Sequence, residues 1–251
     1  MFRDYFMIFL LVHIIGDFYV QTENIAAKKE AALRWLLIHC LQYLLAAFVI
    51  LLPVMPPQIV LFGLALAITH AIIDILKFRY LKHIKKSGKQ NITNERNVFF
   101  ADQILHLVCL VLIAYICTIK LNSLSFNQSV AEFFHVMGIS GITLISWTVT
   151  LLLIHKPANI IISKLIKIYK PEENEDEKKR DNNAGRFIGT IERIIVLIFI
   201  SINQYSAIGL VLTAKSIARY DRISKEKDFA EYYLLGTLIS TLLVIICAST
   251  I

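Results

Sequence analysis

Long apolar runs recur from one end of the chain to the other, and they limit its folding options more than any other feature. Hydrophobic residues fill 57% of the 251 positions and charged residues 18%, with only 9 glycines and 5 prolines. Runs near the roughly 20 helical residues that a bilayer requires indicate a membrane protein rather than a soluble globule. Eight segments qualify: Tyr5–Val20, Leu33–Leu52, Ile59–Phe78, Phe99–Ile119, Phe133–Ile154, Phe187–Ile202, Ser206–Ala218 and Phe229–Ile251. The sixth and seventh are short, so they are expected to be tilted or to form a re-entrant hairpin joined at Asn203–Tyr205. The expected fold is all-α: a polytopic transmembrane helix bundle of six to eight membrane segments, forming a single integral membrane domain over residues 1–251.

The net charge of +7 is unevenly spread. Basic residues crowd alternate connections: Lys28, Lys29 and Arg34 after the first segment, then Arg79 to Arg96, then Lys156 to Arg186, then Arg219 to Lys227. The connections between them, Pro53–Gln58 and Leu121–Val130, carry no charge. By the positive-inside rule the basic loops face the cytoplasm and both termini face out. This arrangement accounts for the positive charge without a nucleic-acid partner, and the expected partner is the lipid bilayer. Within residues 156–186, Asn159–Lys170 reads as an amphipathic interfacial segment and Pro171–Asn183 as a flexible charged linker. Cys40, Cys109, Cys117 and Cys247 sit singly in apolar runs and read as buried hydrophobes rather than disulfides or zinc ligands.

Polar residues interrupt the apolar runs in a regular way. "VHIIGDFYVQ" places His13, Asp17 and Gln21 four apart, "THAIIDILKF" places His70, Asp74 and Lys77 on one helix face, and "ADQILH" brings Asp102 and His106. His39 opens the second segment. An ionisable group in hydrocarbon costs several kcal/mol unless it is paired, ligated or hydrated, so three His/Asp pairs require a common explanation. On the expected topology all of them lie at the cytoplasmic ends of four antiparallel helices, where one pocket would gather them. The recurrence of H-x-x-x-D at the close of segments one and three also reads as a weak parallel duplication.

A His and a carboxylate one turn apart can ligate one metal, and two facing pairs supply four N/O ligands. The expected metal ligands are His13, Asp17, His70, Asp74, Asp102 and His106, with His39 and Asp102 as catalytic groups. Such a donor set suits zinc, iron or manganese, and a metal hydroxide there would attack a phosphoryl or acyl centre. The competing readings are a proton or ion path through the same residues, or structural ties between helices. In the second half, "NAGRFIGTIER" carries Arg186, Glu192 and Arg193, with Gly185 and Gly189 as a small face for close helix approach. Lys215 and Arg219 follow at the end of segment seven. Gln21, Lys77, Arg193 and Lys215 are the expected substrate-binding residues, the cations for an anionic small molecule or lipid such as a phosphate, with Glu192 or Glu231 neutralising one of them. His83, His135 and His155 read as hydrated bystanders.

"HIIGDFYVQ", "THAIIDILKF", "ADQILH", "NAGRFIGTIER", "AKSIARY" and "EYYLLGTLIS" together resemble the domain of unknown function 3307 family of bacterial polytopic membrane proteins. The resemblance implies a multi-pass protein of the bacterial inner membrane and assigns no reaction. More distantly, H-x-x-x-D helices resemble those of bacterial membrane-bound metal-dependent hydrolases. The expected function is therefore a metal-dependent membrane hydrolase acting on a phosphate- or ester-bearing amphiphile. A proton-coupled transporter of a small organic anion and a non-catalytic membrane partner stand as alternatives.

Overall fold

The structure is a computed structural model, and it describes residues 1–30, 32–88, 91–171 and 184–251. It is all-helical apart from two short strands, and five of the described helices are long and apolar enough to cross a membrane. The described chain falls into two compact units, residues 1–149 and 150–251.

In the first unit, α1 (Phe2–Ile14) runs without a break into a π-helical turn (Ile15–Val20). Thr22 then caps α2 (Glu23–Lys29), its hydroxyl accepting from Ile25 N at 3.3 Å. α3 (Leu33–Leu51), α4 (Ile59–Lys86) and α5 (Ile92–Lys120) follow, with α3 packed on α4, α4 on α5, and α1 against α3 and α5. Asn91 caps α5 by accepting from Asn94 N at 2.7 Å. Strand β1 (Val54–Met55) pairs antiparallel with β2 (Ser125–Phe126), tying the α3–α4 loop to the loop after α5. Tyr5 donates to the Asn122 carbonyl at this same end.

The faces of α3 show how the bundle is oriented. Leu36, His39, Tyr43, Ala47 and Leu51 form the buried stripe. Leu37, Leu41, Leu45 and Phe48 form an exposed one, which would be unstable in water and fits lipid.

The unit closes with α6 (Gln128–Met137), capped by Asn127, and the start of α7 (Gly141–Ile166). Gly138, at φ 66, ends α6 in the left-handed conformation, so the expected span Phe133–Ile154 is divided there. α7 continues through Pro157 to Ile166 and a 3₁₀ turn (Lys167–Tyr169), so Asn159–Ile166 extends this helix and starts no new one.

In the second unit, α8 (Ala184–Ser201) and α9 (Tyr205–Ile217) form a hairpin whose turn places Asn203 at φ 57. α10 (Tyr220–Lys225) leads into α11 (Lys227–Ala248), which packs on α8. Apart from Pro171, the expected linker Pro171–Asn183 lies outside the described residues.

Candidate metal centre

The buried stripes of the four helices in the first unit carry polar groups to one place. His13 and Asp17 come from α1 and its π turn, His39 from α3, His70 and Asp74 from α4, and Asp102 and His106 from α5. None is more than 8% exposed. The centre lies toward the helix ends next to α2, and β1 and β2 close the opposite ends.

His39 Nε2 stands 3.2 Å from Asp17 Oδ1, 3.4 Å from Asp74 Oδ2 and 3.1 Å from His70 Nε2. His70 Nε2 is 3.7 Å from Asp74 Oδ2. On the other side of the same carboxylate, His106 Nε2 is 4.0 Å from Asp74 Oδ1 and 3.6 Å from Asp102 Oδ1. Two ligands about 2.1 Å from a shared ion, at angles of roughly 90–120°, lie about 3–3.7 Å apart. Most of these separations fall in that range, and the 4.0 Å gap is close to it. Three groups have ligand atoms within 4.8 Å of one another: His13, His70 and His106; Asp17, His39 and His70; Asp74, Asp102 and His106. His106 Nε2 and Asp102 Oδ1 are buried with no hydrogen-bond partner among the described residues. Leaving such groups unmet is expensive, and a bound cation would meet both.

The grouping differs from the i, i+4 expectation at two points. Asp102 and His106 share a group, whereas His13 and Asp17 do not, and neither do His70 and Asp74, although the latter two stand on regular α-helix. A π turn begins at Ile15 between His13 and Asp17, but the His70 and Asp74 pair is divided without one, so packing between helices sets the grouping. Gln21 follows the turn in extended conformation and half-buried.

Three contributors were not among the expected site residues. Lys29, assigned there to a basic loop, is 7% exposed and reaches Asp74 Oδ2 at 3.2 Å and Asp17 Oδ1 at 3.7 Å. Successive residues on α2 point about 100° apart, so Lys28 goes outward over Trp35, 4.7 Å from the ring, while Lys29 goes in. Gln103 donates to Asp17 Oδ2 at 3.2 Å and to Asp102 Oδ2 at 3.3 Å. Tyr43 stacks on His70 with centroids 3.8 Å apart and planes within 11°. Of these, only Gln103 carried a signal, through its place beside Asp102 in "ADQILH".

The expected anion-binding cations all have protein partners. Lys77 pairs with Asp102 Oδ2 at 2.8 Å. In the second unit, Lys215 pairs with Glu192 at 2.5 Å, so Glu192 is the neutralising acid, and Glu231 is exposed. Arg193, 2% exposed, donates from Nε to Ile154 O at 2.6 Å, from one terminal nitrogen to Ser240 Oγ at 3.2 Å, and from the other to Asn159 Oδ1 at 2.7 Å and Thr190 Oγ1 at 3.3 Å. It thus clamps α7, α8 and α11 through neutral acceptors. The small face on α8 makes room for this clamp: a Cβ on Gly189 would lie 3.3 Å from Arg193, while nothing described lies within 4 Å of one on Gly185. His83, His135 and His155 are exposed and outside the centre.

No curated protein and no solved structure matches the chain. The stretches "NAGRFIGTIER", "AKSIARY" and "EYYLLGTLIS" lie outside the span that a family profile covers, whereas every residue of the buried centre lies within it. That profile, described as "Protein of unknown function (DUF3307)", matches residues 5–137, more than half of the chain, and the protein belongs to this family.

Proposed function

We propose that this protein is a metal-dependent hydrolase of the bacterial inner membrane, with its centre toward the cytoplasm and a phosphate- or ester-bearing amphiphile as substrate. The observation that carries this reading is the pair of unmet ligand atoms, His106 Nε2 and Asp102 Oδ1, facing Asp74 at metal-ligand spacing in a buried site. Charge supports it as well. Asp17, Asp74 and Asp102 face Lys29 and Lys77, which leaves one net negative charge with neutral imidazoles. One divalent ion reverses that to a single positive charge, which favours an anionic substrate.

The ligands would be drawn from His13, Asp17, His70, Asp74, Asp102 and His106. A zinc, iron or manganese ion there would supply Lewis acidity and an activated water. His39, touching both Asp17 and Asp74, is placed to act as general base and to hold the proton it takes. Lys77, held by Asp102, is the nearest cation for a substrate phosphate.

The test is an element-resolved metal measurement on detergent-purified protein. Bound metal in the wild type and none in a folded Asp74→Ala variant is the expected result, with hydrolysis of the amphiphile in detergent and no ion gradient. Fully folded wild type without metal, even after dialysis against zinc or manganese, overturns the reading. One observation favours proton-coupled transport instead: His39 Nε2 and His70 Nε2 lie 3.1 Å apart, so one imidazole donates to the other and a proton can pass along the pair. That reading expects gradient-driven uptake of an organic anion into proteoliposomes.

A further inference from the structure

We infer that the centre has two cation positions joined by Asp74, and that the Lys29 ammonium holds the first while a divalent metal takes the second. The inference rests on the metal reading above and adds to it the number of ions and the residue that sets that number.

Asp74 presents its two oxygens to different neighbours. Oδ2 faces Lys29 Nζ at 3.2 Å, His39 at 3.4 Å and His70 at 3.7 Å, and Asp17 Oδ1 completes this side, 3.7 Å from Lys29. Oδ1 faces His106 at 4.0 Å, and Asp102 Oδ1 lies 3.6 Å from the same imidazole nitrogen. The first side already contains a positive charge. The second contains none in contact with these atoms, since Lys77 binds the other oxygen of Asp102, and it is where the unmet ligand atoms lie.

The donor sets are otherwise alike. Asp17, His39 and His70 form the ligand group of the first position, with Asp74 Oδ2 3.4 Å from His39 and 3.7 Å from His70, and Asp74, Asp102 and His106, with His13 adjoining, surround the second. What separates them is Lys29. With both lysines in place, one divalent ion takes the centre from one net negative charge to one positive charge. A second would take it to three positive charges in a buried site, one more than the same two ions give without the Lys29 ammonium, and Coulomb repulsion disfavours it. Removing the Lys29 ammonium frees the Asp17 and Asp74 oxygens beside His39 and His70 and takes away one positive charge, so the first position becomes a metal site.

Full-length protein and two variants, Lys29→Met and Lys29→Arg, are dialysed against manganese alone and the metal-to-protein ratio is measured. The expected ratios are one for wild type, two for Lys29→Met and one for Lys29→Arg. Manganese resonance spectra should change from an isolated ion to an exchange-coupled pair in Lys29→Met, because both ions would share the Asp74 carboxylate. A ratio of one in folded Lys29→Met overturns the inference and leaves the metal reading standing. A ratio of zero in wild type removes both. If Lys29→Met does not fold, calorimetric titration of wild type decides: one tight equivalent supports the inference and two tight equivalents overturn it.

Discussion

Gly16 has no side chain, and Tyr43 uses the space. A Cβ at this position would come within 2.6 Å of Tyr43 Cδ2, and the Tyr43 ring is the surface against which His70 stacks. Gly16→Ala should therefore displace Tyr43 and, through it, His70. An overpacking cost of about 1–3 kcal/mol is expected, read as a lower melting temperature in detergent. Metal retention should fall in the same variant, and an unchanged melting temperature would contradict the packing argument. The residue scale also separates neighbours that the sequence treats alike. Lys28 and Lys29 are equivalent members of a basic loop until α2 turns one toward Trp35 and the other toward two buried carboxylates.

At the scale of elements, two local irregularities shape the two units. The π turn at Ile15–Val20 carries Asp17 into the centre beside His39, on the widened helix that follows His13. In α7, Pro157 has no N–H to give to the carbonyl four residues earlier, and its ring loosens that turn. Arg193 donates to the neighbouring Ile154 carbonyl and holds α8 and α11 to the same spot. Arg193→Met should leave Ile154 O and Asn159 Oδ1 short of donors and cost about 2–3 kcal/mol. Thermal unfolding in detergent would read the loss. Arg193→Lys should not restore it, because a single ammonium cannot span the fork of acceptors. A melting temperature matching wild type in Arg193→Met would sink this account.

At the largest scale, the first unit separates its helix ends by charge. The uncharged loops at β1 and β2 gather at one end of the first unit, and the basic loops lie at the other, beside the His/Asp centre. With the basic end inward, Ser123→Cys should react with a membrane-impermeant thiol reagent on intact cells, and Ser87→Cys only after permeabilisation. Both positions are exposed, and the native cysteines are buried or half-buried within helices, so background labelling should be low. The reverse labelling pattern would invert the topology and put the centre on the outer face.

The apolar runs by themselves determined an all-helical membrane fold, because hydrocarbon leaves the backbone few other ways to satisfy its hydrogen bonds. The cost of ionisable groups in hydrocarbon likewise marked His13, Asp17, His39, His70, Asp74, Asp102 and His106 before any coordinates. Only the tertiary structure decided which of them share a ligand group, that Lys29 and Gln103 join them, and that Arg193 and Lys215 are held by acceptors of their own unit. The physical reason is that hydropathy and periodicity report which face a residue occupies on its own helix. Which faces meet depends on a widened turn, a glycine beside a tyrosine ring and a proline in a helix, and these act through neighbours far away in the chain.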